Sequence, residues 1–176
     1  MDSTKSYIHR EYRSIMNETD PAPLDDDAFL AAFEGCQLAG STFRHRDHVR
    51  LTWLYLRRFG YASTLLRVRE GIRRFAIHHG ATGKYHDTLT AVWVRLVAAA
   101  ILETPDIDDF DTFVDAHEAL LDRGLPLEYY SPELLWGNDA RAHWVDPDVR
   151  PLPAVLRWRR PHLSRRIVRD ALPLGK

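Results

Sequence analysis

Residues 61–80 read YASTLLRVREGIRRFAIHHG, and their periodicity decides the fold class. Leu65, Val68, Ile72 and Phe75 recur at helical spacing, so they form one apolar stripe that Gly80 closes. The segments on either side repeat the pattern. Upstream, a helix beginning near Asp47 runs through His48-Val-Arg-Leu-Thr-Trp-Leu-Tyr-Leu to Gly60. Downstream, a helix capped by Asp87 or Thr88 carries Leu89, Val92, Trp93, Leu96, Ala100 and Ile101, and Thr104-Pro105 stops it. Nearer the N-terminus, Asp25-Asp26-Asp27 supplies carboxylates to a helix start, followed by Phe29, Ala32, Phe33 and Cys36, with Gly40 as the stop. A further helix is expected from Asp108 to Arg123, closed by Gly124.

Past Gly124 the chain changes character. Ser131-Pro132-Glu133 is a short helix start, with Ser as cap and Pro in the first turn. Asp146-Pro147-Asp148 and Arg150-Pro-Leu-Pro read as extended. No segment alternates with period two between turn signals, which argues against a sheet. The expected fold is therefore all-α: a compact antiparallel bundle of about five to six helices with an irregular C-terminal segment. Residues 1–24 read as a loosely ordered arm, 25–156 as the helical domain, and 157–176 as a basic tail that is helical or ordered against it.

Composition narrows the function classes. The 176 residues are 45% hydrophobic and 28% charged, which is globular. The formal net charge of −1 supplies no general field for nucleic acid or an anionic membrane. A single cysteine, Cys36, excludes an intramolecular disulfide and a multi-cysteine metal site, and fits a reducing cytoplasm. There is no apolar run long enough to span a bilayer and no signal-peptide core. Walker, Gly-x-Gly-x-x-Gly and Gly-x-Ser-x-Gly motifs are missing, so nucleotide-binding and serine-hydrolase readings lack support.

The nine histidines are unevenly spread. His45 and His48 stand three apart where the second helix begins, a spacing that puts two imidazoles on one face. Thr52 and Tyr55 continue that face. A second group, His78-His79-Gly-Ala-Thr-Gly-Lys-Tyr-His86-Asp-Thr88, joins the third helix to the fourth. If these helices pack antiparallel, the loop at 78–88 comes back to the level of His45 and His48. Three neutral imidazoles suit zinc, iron, copper or nickel with an open position for water or substrate.

The leading expectation is thus a small metal-dependent enzyme acting on a small molecule. His45, His48 and His86 would hold a divalent transition metal, with His79 a fourth candidate. Tyr85 is the candidate for proton transfer, Asp47 for orienting a ligand imidazole, and Lys84, with Arg50, for holding an anionic substrate group. Arg50, Thr52, Tyr55, Thr88 and Tyr129 are candidates for substrate contact, and Trp136 and Trp144 could wall a pocket. Two alternatives stand beside it. The same histidines could act as acid and base without metal. Alternatively the chain is a helical binding module that presents its Arg-rich tail, Arg157 to Arg166, to a partner.

Phe43-Arg-His45-Arg-Asp-His48-Val-Arg-Leu, Gly83-Lys-Tyr85-His86-Asp-Thr88, Tyr129-Tyr130-Ser131-Pro-Glu and Trp144-Val-Asp-Pro-Asp together resemble a group of uncharacterised bacterial proteins. That group carries Phe-x-His-x-x-His and Gly-Lys-Tyr-His-x-Thr motifs. The resemblance covers most of residues 25–153. It implies a complete domain and points to no particular activity.

Overall fold

A continuous apolar surface on one helix has to be buried on all sides, and residues 87–103 carry it. In the computed structural model, which describes residues 24–155, that segment is a helix with Val92, Val94, Leu96, Val97, Ala98, Ala100 and Ile101 all buried. A helix apolar all round belongs in the middle of its domain. Seven α-helices occur among the described residues, and no strand: α1 (Asp26–Glu34), α2 (His45–Phe59), α3 (Tyr61–His78), α4 (Asp87–Glu103), α5 (Phe110–Ala116), α6 (Pro132–Leu135) and α7 (Asn138–Ala142). The chain is an all-α bundle. Three short 3-10 turns, Thr82–Lys84, Glu118–Leu121 and Leu125–Glu128, connect these helices.

The described residues divide into two compact units, with the boundary between Ala31 and Ala32. In the first, the Asp25 carboxylate accepts from the amide of Ala28 at 2.8 Å and so caps α1. In the second, α2, α3 and α4 pack against one another, and α4 also packs against α7. Phe33 stacks on Phe43 and on Phe75, at 5.4 and 5.5 Å between ring centroids.

Element boundaries differ from the sequence expectations in informative ways. α1 ends at Glu34, before Gly40, because Cys36 turns the chain with φ 54. α2 starts at His45, since the Asp47 carboxylate accepts from the Arg44 amide at 2.7 Å and anchors the first turn. α3 begins at Tyr61 with no loop at all: Gly60, buried at φ 77, both ends α2 and starts α3, a backbone state suited to glycine. The expected helix 108–123 breaks at His117, whose Nε2 sits 2.8 Å from the Thr104 hydroxyl, and continues as a 3-10 turn. α7 has no counterpart in the sequence reading. The expected arm at 1–24 and the basic tail at 157–176 lie outside the described residues, except for Leu24. No helix among the described residues is long and apolar enough to cross a membrane.

Candidate functional site

The first turn of α2, the 82–86 turn and the start of α4 meet around a cavity of about 630 Å³. His45, His48 and Thr52 line it from α2, and Lys84, Tyr85 and His86 from the turn before α4. The expected return of that turn to the level of α2 is what the helices produce. Trp93, Leu89 and Thr90 contribute from α4, Val68 and Ile72 from α3, and Leu127 and Trp136 from the C-terminal segment. The exposed lining surface is mainly apolar, although about half of the lining residues carry polar groups.

Three imidazoles reach the cavity in different chemical states. His86 is the N-cap of α4: its Nδ1 accepts from the Leu89 amide at 3.2 Å, and its Nε2 lies 2.9 Å from the Leu135 carbonyl. An amide only donates and a carbonyl only accepts, so the ring carries its proton on Nε2 and has no lone pair left over. Burial keeps its pKa below the ordinary histidine value, with the Leu135 bond partly opposing. His86 therefore positions α4 against α6.

His45 is different. Its Nε2 donates to the Leu120 carbonyl at 2.9 Å, and its ring packs 4.4 Å from that of Trp93. Burial lowers its pKa, the Leu120 bond pushes the other way, and Arg123 lowers it further. A neutral ring protonated at Nε2 has its lone pair on Nδ1. His48 packs edge-on to Phe43 at 4.4 Å between centroids. Burial first, then the neighbouring His45 and Arg123, push its pKa down to about 4. Burial thus favours the neutral form of both α2 rings.

The remaining predicted residues divide cleanly. Lys84 is an exposed cation at the cavity. Tyr85 donates to Asp87 Oδ1 at 2.7 Å, and burial followed by that bond lifts its pKa to about 12, so its proton is held. Arg141 donates to the carbonyls of Gly83 and Tyr85, fixing the turn that carries Lys84 and Tyr85. Thr52 lines the cavity while its hydroxyl donates to the His48 carbonyl at 2.8 Å.

Other candidates lie elsewhere. Asp47 caps α2, and Arg50 is not among the cavity-lining residues. Tyr55 donates to Glu34 at 2.7 Å, away from the cavity. Thr88, fully buried, donates to the His143 carbonyl and accepts from the Val145 amide. Tyr129 packs beneath the Arg150 guanidinium. His79 is exposed beside Phe75 and Gly40, not at the core-facing end of its stripe. Trp144 donates to Asp146 at 3.1 Å and does not reach the cavity.

Among the described residues no three His, Cys, Asp or Glu side chains are grouped so as to hold a metal ion. His86 would have to give up its bond from the Leu89 amide to offer Nδ1 to a metal ion. What sequence reasoning misses is the wall: Trp93 reads there as part of an apolar stripe, and no pattern marks Arg44 or Arg123. Comparison with protein-family models, curated proteins and solved structures yields no match.

Proposed function

We propose that the chain is a small-molecule enzyme working by acid–base chemistry, with His45 as the proton acceptor. The observation that carries this reading is the pairing of His45 Nε2 with the Leu120 carbonyl at the edge of an apolar cavity. That bond fixes the tautomer and leaves Nδ1 as the base. When Nδ1 takes a proton, the same carbonyl stabilises the resulting imidazolium, so the ring is oriented and supported by one contact. His48, neutral one turn along, serves as a hydrogen-bonding group toward substrate. Lys84 supplies positive charge at the opening. The single cysteine accords with a reducing cytoplasm as its setting.

A metal-centred version keeps only His45 and His48 as donors. Two imidazoles on one helical turn suit zinc, iron, copper or nickel, and the remaining ligands would come from solvent or substrate.

The test starts from binders found by ligand-observed NMR in a library of small apolar molecules. Their conversion is then followed by mass spectrometry with wild type and His45→Gln. A glutamine amide cannot accept the proton, so turnover should fall by roughly two to four orders of magnitude while affinity changes little. Equal turnover in the two proteins would remove His45 from the chemistry and overturn the proposal.

A further inference from the structure

One end of the cavity is lined by several cationic side chains. A smaller space of about 420 Å³ adjoins it, sharing Phe43, Arg44, His45 and Arg123 and adding Ser41, Arg46 and Leu121. The two linings together contain Arg44, Arg46, Lys84 and Arg123 and not one Asp or Glu. The chain as a whole carries 24 basic and 25 acidic residues, so this lining does not follow from a general basic excess. Arg46 is held by Asp111 at 2.6 Å, from outside the lining. Neither Arg44 nor Arg123 has a carboxylate partner among the described residues, and both are exposed where they border the cavity.

From this arrangement we infer that Arg44 and Arg123 form an oxyanion subsite, and that the substrate is a small apolar or aromatic molecule bearing a carboxylate or phosphate group. The apolar part would lie against Trp93, Leu89 and Leu127, and the anion would reach the guanidiniums at the far end. A planar guanidinium binds either oxyanion through paired N–H donors, and a cleft lined by one sign of charge concentrates the opposite sign. The Arg123 charge acts on His45 and His48, lowering both pKa values, while Asp122 opposes it at His45, so the subsite lies within electrostatic reach of the proposed base. The inference rests on the cavity being a substrate site and does not require His45 to be catalytic.

Binding alone therefore tests it. Indole-3-acetate and phenyl phosphate serve as carboxylate and phosphate probes, and indole-3-acetamide as the uncharged counterpart. Titrations are read on the indole N–H resonances of Trp93 and Trp136 in wild type, Arg123→Gln and Arg44→Gln. Wild type should bind the acetate at least about tenfold more tightly than the acetamide, the scale of a charge-assisted pair. Arg123→Gln should bring the two affinities together by weakening the acetate alone, and Arg44→Gln should narrow the gap. The tighter of the two anions then identifies the oxyanion. Equal affinities in wild type, an unchanged acetate affinity in a natively folded Arg123→Gln, or no response to any probe would overturn the subsite. Equal turnover in wild type and His45→Gln would remove the catalytic reading without touching the comparison of acetate with acetamide in wild type.

Discussion

His86 Nε2 donates to the carbonyl of Leu135, 49 residues away, while the other nitrogen of the same ring caps α4. One side chain thus fixes the start of the central helix and ties it to α6. In His86→Ala both bonds go, and the Leu135 carbonyl and Leu89 amide lose their partners. A missing cap and an unsatisfied buried group together should cost about 2–3 kcal/mol, read as a shift in urea midpoint. His86→Asn restores the cap and should recover part of that loss. Full stability in His86→Ala would show that the ring is not a structural tie.

His48 sets a pH dependence. Its pKa is about 4 in the folded chain and about 6.5 in the unfolded one. The unfolded chain therefore binds the extra proton between these values, so stability is full above pH 6.5 and falls as the pH drops toward 4. The contribution is on the order of 3 kcal/mol. His45 and His86, both lowered, act in the same direction. Urea unfolding at pH 7 and pH 4.5 should show a smaller difference for His48→Gln than for wild type. An identical difference would mean that the ring titrates as it does in water.

The metal content of untagged protein separates the two chemical readings. Elemental mass spectrometry after incubation with zinc, iron, copper and nickel, followed by desalting, should find well under one ion per chain. His45→Ala and His48→Ala should not alter it. Near-stoichiometric metal that both variants lose, and His86→Ala keeps, would replace the acid–base reading with a two-histidine metal site.

Gly71 is a packing requirement inside α3. A Cβ there would come within 2.8 Å of Phe33 Cε1. Phe33 is itself fixed between Phe43 and Phe75 and is fully buried, so it has nowhere to move. Alanine in a helix interior is normally favoured over glycine by about 1 kcal/mol, but overpacking of a filled core costs about 1–3 kcal/mol. Gly71→Ala should therefore lower the melting temperature, and adding Phe33→Leu should return part of the loss. A more stable Gly71→Ala would mean that the aromatic cluster has room to adjust.

Helical periodicity made the bundle legible because burial of Val68 and Phe75, or of Val92 and Leu96, leaves its trace at fixed sequence intervals. The meeting of α2 with the 82–86 turn was legible for the same reason: short connections restrict where the next helix can go. Ring employment was not. That the two nitrogens of His86 are both bonded to backbone depends on where Leu135 lies, and no local pattern encodes a contact across 49 residues. Thr88 shows the same limit, since its partners His143 and Val145 sit in an irregular segment without periodicity. Arg123 escapes notice because an arginine at the end of an expected helix is ordinary until the fold sets it beside the same cavity as His45.

The absence of a loop between α2 and α3 has a mechanical consequence. The Gly60 amide bonds back to Leu56 and its carbonyl accepts from Thr64, so the last turn of one helix and the first turn of the next share a residue. Such a joint has no slack to absorb a displacement. His48 on the first arm and Val68 and Ile72 on the second face the same cavity. The two backbone dihedrals of Gly60 therefore set the angle at which these two walls of the cavity meet.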